Sequence, residues 1–216
     1  MINNLYKEDY FKKELFQLYS KIKNLPKSRS VHYARNLAAT QFYKVFLNAS
    51  LIIKGSENLP YQPSSIFIYN HLNTNPEYEI DLDFQITLDS HFISSFILNK
   101  YYKNLGIRII RNSLTSEKNH SNYYNKFDYI RVYSKDFLPK NITKKKLKDS
   151  NNDFFKRSLN ELKNNNSIII SPEGVSCETE NSPGKFKSGA FKLATMSRIE
   201  PYICLLYTSP SPRDLS

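Results

Sequence analysis

The sequence predicts an α/β domain. Three observations carry that expectation. Short, β-branched apolar runs recur along the chain, and segments of helical spacing lie between them. Hydrophobic residues make up 40% and charged residues 24% of 216 positions, an ordinary balance for a globular domain and too apolar for a disordered one. With 5 Gly and 2 Cys, neither a Gly-rich linker protein nor a disulfide scaffold fits.

Residues 5–24 read as an amphipathic helix. Phe11, Leu15, Leu18, Tyr19 and Ile22 recur at helical spacing, Lys7, Lys12, Lys13, Lys21 and Lys23 surround them, and Pro26 ends the pattern. A second helix is expected over Tyr33–Leu47. This pair suits packing on the domain as a helical hairpin, and its lysine-flanked apolar face also suits a membrane interface. Strands are expected at Ser50–Lys54 and Ser65–Tyr69, around a loop with Gly55, Pro60 and Pro63. Further strands are expected at His91–Leu98, at Ile107–Ile110 after Gly106, and at Ser167–Ile170. Asn112–Asn125 reads as a polar loop, and NITKKKLKDSNND (141–153) as a solvated charged face. Asn152–Lys163 reads as a helix with Phe154, Phe155, Leu159 and Leu162 on one side.

The formal net charge is +11. Nucleic acid, an anionic membrane or a phosphorylated ligand would each suit it, as would a general abundance of lysine with no functional meaning. No apolar run reaches the ~18 residues expected of a membrane-spanning helix. The first residues show no apolar signal-peptide core. A reduced, intracellular protein is expected.

Two places carry chemistry. The strand at 65–69 runs directly into Asn70-His71, and a strand-end imidazole beside a carboxylate can act as a general base. About a hundred residues later comes SIIISPEGVS, then SPGKFKSGAFKLA. Pro172-Glu173-Gly174 makes a sharp turn with one acid, Lys185 and Lys187 flank Phe186, and Gly189-Ala190 opens a helix through Leu193-Ala194. A structural histidine, an ordinary loop and an ordinary helix start are the plain alternatives.

Taken together, these blocks resemble the glycerolipid acyltransferases, the 1-acylglycerol-3-phosphate and related lysophospholipid acyltransferases. The matching residues are Asn70-His71, Gly106-Ile107-Arg108-Ile109-Ile110-Arg111, Pro172-Glu173-Gly174 and Phe186-Lys187-Ser188-Gly189-Ala190-Phe191, in the family's order over residues 50–203. The resemblance implies a central mixed sheet flanked by helices, with the N-terminal pair at 1–49. It implies acyl transfer from acyl-CoA or acyl carrier protein, as co-substrate, to the hydroxyl of a lysophospholipid, foremost 1-acylglycerol-3-phosphate. No metal and no bound cofactor is implied. His71 would be the base, Arg111 the phosphate-binding residue, Glu173 and Gly174 would shape the acceptor pocket, and Lys187 would be a second phosphate contact. The positive charge then suits an anionic phospholipid surface on the cytoplasmic face of the cell membrane, with the protein peripheral and no nucleic acid as partner.

One departure matters. The family places an Asp five residues after the His, and Pro76 stands there. The segment LNTNPEYEIDLDFQITLDSHF offers Glu77, Glu79, Asp81, Asp83 and Asp89 instead. Glu77 is closest in register, and Asp89 closes the loop before the next expected strand; both remain candidates. Asp89 could also pair with His91. Cys177 has no neighbouring base in sequence to make it a nucleophile.

Residues 204–214, CLLYTSPSPRD, resemble the one-frame translation of a transposon-end sequencing adapter. Residues 204–216 are therefore expected to be a non-native tail on a truncated acyltransferase domain. The missing strands would leave an unpaired sheet edge, so such a fragment is expected to be poorly soluble or inactive.

Overall fold

The computed structural model describes residues 2–49, 51–72, 79–81, 84–134, 137–178 and 181–206, with side chains of the first helix described from residue 9. Two helices open the chain, α1 (Ile2–Lys23) and α2 (Val31–Leu47). The Ser30 hydroxyl caps α2 by accepting the Tyr33 N–H at 3.1 Å. β1 (Ile66–Tyr69) follows, then a short antiparallel ribbon of β2 (Glu79–Asp81) and β3 (Phe84–Gln85). A continuous helical segment comes next: α3 (Leu88–Phe92), a π-helical stretch Ile93–Asn99, and α4 (Lys100–Tyr102). The rest alternates strictly: β4 (Ile107–Arg111), α5 (Lys118–Tyr124), β5 (Ile130–Val132), α6 (Lys144–Lys163), β6 (Ile168–Ile170), α7 (Gly189–Ser197) and β7 (Pro201–Cys204).

The main sheet has five strands in the order β5-β4-β6-β1-β7. Every neighbouring pair is parallel, with Ile66 opposite both Ile168 and Pro201 and with Ile107 opposite Ile168. The α/β class is as expected, but the sheet is parallel where a mixed one was expected. The reason lies in the connections: a helix crosses over between successive sheet strands, which returns each strand in the same direction.

Alternation along the strands divides the core. Ile66, Ile68, Ile168 and Ile170 face α6 and α7, meeting Phe154, Leu162, Ala190 and Leu193. Phe67, Tyr69 and Ile169 face the opposite way, onto Ile93, Ile97 and Leu98 of the π-helical stretch. α1 and α2 form a further layer outside that stretch, through Leu15, Ile22, Phe42 and Phe46 packed with Phe84, Phe96 and Phe127. Arg35 and Lys126 fasten this layer by donating to the carbonyls of Phe127 and Leu25, each at 2.6 Å.

Several expected elements differ. His91–Leu98 is helix, not strand. Ile93, Ser94, Ser95, Phe96, Ile97 and Leu98 are all buried, so no polar face reveals the helical period. Leu51–Lys54 forms no strand and pairs with no sheet strand among the described residues, and Ile52 is 88% exposed. The expected loop at 112–125 contains α5, which buries His120, Tyr123 and Tyr124 along one face. The lysine-rich run is the solvated first half of α6, started by Thr143 accepting the Lys146 N–H at 3.2 Å.

Gly106 sets the entry to β4. Its φ is +65°, and a Cβ there would lie 2.5 Å from Leu98 Cδ1 and 2.7 Å from Ile169 Cδ1. Only glycine fits a left-handed backbone this close to two core side chains.

Candidate active site

In a parallel sheet every strand delivers its following loop to the same edge, and ligands of such folds bind there. His71 sits at that edge, just past β1. Its backbone is clamped from two sides: the His71 N–H donates to Glu173 Oε2, and the His71 carbonyl accepts the Cys177 N–H at 2.8 Å. Asn70 fastens the strand end. Its amide donates to Ser182 Oγ at 2.7 Å and to the Leu206 carbonyl at 2.8 Å, and accepts the Leu206 N–H at 2.6 Å.

The imidazole meets Asp89. Nδ1 lies 2.5 Å from Asp89 Oδ2, with the His71 side chain 22% exposed and the Asp89 side chain 6% exposed. Asp89 sits in the first turn of α3, and its Oδ1 accepts the Ser90 N–H at 2.5 Å. With Nδ1–H donating to the carboxylate, Nε2 is left as the acceptor that a general base needs. Burial pushes the His71 pKa down, but the charge and hydrogen bond of Asp89 and the charge of Glu173 outweigh it; Arg108 opposes them, and the net result is above the ordinary 6.5.

Of the two carboxylates expected to partner His71, the structure places Asp89 there. Glu77 lies outside the described residues, as do Pro76 and Asp83. Asp89 hydrogen-bonds His71 and not His91. His91 is buried, stacked on Phe42 at 3.8 Å, and driven well below 6.5 by burial and then by Arg108.

Glu173 is 2% exposed. Besides the His71 N–H it accepts the Gly184 N–H at 2.5 Å and the Ser171 hydroxyl at 3.3 Å. Its oxygens are thus spent on holding three segments together, and its place is behind His71. Gly174, at φ +72°, is exposed, and a Cβ there would lie 2.6 Å from Lys187 Nζ. Lys187 therefore lays its ammonium over the Gly174 turn. Arg111, at the end of β4, is engaged by Glu117 through two hydrogen bonds of 2.6 Å each. Cys177 lies beside this site, but burial and then the Glu173 charge raise its pKa, which keeps it a thiol.

Arg108 belongs to the Gly106–Arg111 block, but the sequence alone assigns it no role. It is 1% exposed and points to the α3 side of the sheet. Nη2 donates to Ser90 Oγ and, at 3.1 Å, to Thr87 Oγ1; Nη1 lies 2.8 Å from His91 Nε2. The guanidinium also sits over Tyr129 and Tyr124, at 5.2 and 5.7 Å from the ring centroids. A buried cation thus reaches Asp89 through Ser90. The available signal was an Arg inside an isoleucine strand, where alternation demands a core-facing residue.

Three comparisons bear on the chain. No family model matches it, and no curated protein matches it. One solved structure is similar. It is the crystal structure of the 1-acyl-sn-glycerophosphate (LPA) acyltransferase, PlsC, from Thermotoga maritima, at 17% identity, covering 94% of this chain and 73% of that one, with a TM-score of 0.49. At this distance the family resemblance stays with the motif residues. Among the described residues, no group of three or more His, Cys, Asp or Glu is arranged to hold a metal ion.

Proposed function

We propose that the protein is an O-acyltransferase that moves a fatty acyl group from a thioester, acyl-CoA or acyl carrier protein, to the hydroxyl of a lysophospholipid, with 1-acylglycerol-3-phosphate as acceptor. The observation that carries this reading is the His71–Asp89 pair, 2.5 Å apart at the strand-end edge of the sheet. His71 Nε2 takes the acceptor's hydroxyl proton as the oxygen attacks the thioester carbonyl. Asp89 orients the ring and stabilises the imidazolium that forms. The tetrahedral intermediate then expels the thiolate, which recovers the proton from His71. No enzyme nucleophile is needed, in keeping with Cys177 being held as a thiol.

β4 and β1 flank β6, so Arg111 and His71 leave the same edge two strand spacings apart, or about 10 Å. That span suits a phosphate held at one end and a hydroxyl activated at the other. Lys187 lies in the same edge's loops. We place the protein peripherally on the cytoplasmic face of the membrane. The net charge of +11 supports an anionic surface as partner, and no described helix is long and apolar enough to cross a membrane.

The test is transfer of labelled acyl groups by the full-length protein, offered both donors, with His71→Ala alongside. Loss of transfer in the variant supports the reading. Equal transfer removes His71 as the base.

A further inference from the structure

The Arg111 guanidinium already holds an anion. Nη1 and Nη2 each donate to one oxygen of Glu117 at 2.6 Å, a side-by-side double hydrogen bond. Nη1 also donates to the Asn112 carbonyl at 3.2 Å, and the Phe137 ring lies over the guanidinium, 4.3 Å from its carbon to the ring centroid. Glu117 Oε2 further accepts the Leu114 N–H at 2.6 Å. The side chains are 25% and 14% exposed, so the pair is partly shielded yet reachable from solvent.

This fork geometry is how arginine grips a phosphate. The carboxylate therefore occupies the two donors that an acceptor's phosphate would use. Resting on the acceptor reading above, we propose that Glu117 is a residue that sets the affinity for the acceptor's headgroup, an internal anion that a phosphate must displace from Arg111 in order to bind. The exchange is ionic: two N–H···O bonds to the carboxylate give way to two to phosphate oxygens, and no covalent bond changes. The Leu114 N–H stays available to the displaced carboxylate. A tethered competitor lowers the affinity of every anion that needs Arg111 by the same factor. A phosphomonoester dianion brings up to two charges and three terminal oxygens against it, whereas a phosphodiester brings one charge and two. The monoester therefore displaces the carboxylate more readily, a preference that comes from Arg111 itself, while Glu117 lowers the affinity of both.

The experiment measures binding of inorganic phosphate, sn-glycerol 3-phosphate and glycerophosphocholine to the full-length protein and to Glu117→Gln, Glu117→Ala and Arg111→Gln. Glu117→Gln is nearly isosteric, and its amide oxygen can still accept the Leu114 N–H. Both Glu117 variants are expected to bind inorganic phosphate and glycerol 3-phosphate about tenfold tighter, equal to about 1.4 kcal/mol. The preference for glycerol 3-phosphate over glycerophosphocholine is expected to stay, since one competitor weakens both alike, and Arg111→Gln is expected to abolish phosphate binding. In the unaltered protein, the carbon-13 signal of the Glu117 carboxylate is expected to move as glycerol 3-phosphate is added. Unchanged or weaker phosphate binding in both Glu117 variants overturns the proposal. So does a static Glu117 signal while glycerol 3-phosphate binds. Tighter inorganic phosphate without tighter glycerol 3-phosphate also overturns it, since the site would then serve the free ion. These readouts need no acyl transfer, so they stand apart from the fate of His71.

Discussion

Replacing Asp89 with Asn keeps the shape of the side chain and removes its charge. In the unaltered protein the carboxylate sits 2.5 Å from His71 Nδ1 and raises the imidazole pKa above 6.5 against burial and Arg108. In Asp89→Asn, burial and Arg108 remain and the opposing Asp89 charge is gone, so the pKa is expected to fall below its present value. Two consequences follow for pH. A base works only when neutral, so the proposed activity predicts that kcat/KM of the unaltered protein rises with pH through a limb above 6.5, and that this limb moves down in the variant. The raised folded-state pKa also stabilises the fold at pH below the unfolded value of about 6.5, a contribution lost as pH rises through the folded value, and the variant loses this dependence. The rate cost is larger. The imidazolium forming in the transition state loses its counter-ion, and a positioned base contributes roughly 10²- to 10⁴-fold, or about 2.7 to 5.4 kcal/mol. The assay is kcat/KM for labelled acyl transfer across pH 5 to about 9, with the His71 ring followed by NMR. A variant within threefold of the unaltered rate, with its limb unmoved, would refute the pairing as the source of basicity.

Two other positions give separable outcomes. Gly106→Ala forces a Cβ into the 2.5 Å and 2.7 Å contacts with Leu98 and Ile169 at φ +65°, and the sum of left-handed strain and overpacking is expected to cost about 2–5 kcal/mol, read as a lower denaturation midpoint. Arg108→Met removes the buried cation that pulls the His71 pKa down, so the kcat/KM limb and the His71 NMR titration should both move to higher pH, whereas Arg108→Lys should hold them near their original place.

The strands that build the site were legible because they are short isoleucine-rich runs with clear ends. Ile66–Tyr69 stops at Asn70-His71, Ile107–Arg111 starts after Gly106, and Ile168–Ile170 stops at the Pro172 turn. The segment from Leu88 to Tyr102 was not legible as helix, because burial of Ser94 and Ser95 along with Ile93, Phe96, Ile97 and Leu98 erases the polar stripe by which a helix declares itself. The partner of His71 depended on that same segment. Once it is helical, its first turn carries Asp89 back to the end of β1, a placement that no local spacing encodes. Arg111 was readable as a cation at a strand end, but its engagement by Glu117, six residues on, depends on how residues 112–117 turn. Glu173 was readable as special, and its burial against the His71 and Gly184 backbone follows only from the packed loops.

The claim that His71 is the base is tested most directly by single-turnover transfer of a labelled acyl group from acyl-CoA, and separately from acyl carrier protein, to 1-acylglycerol-3-phosphate, comparing the full-length protein with His71→Ala at matched fold stability. A rate lower by roughly 10²- to 10⁴-fold in the variant is expected. Equal rates would contradict it.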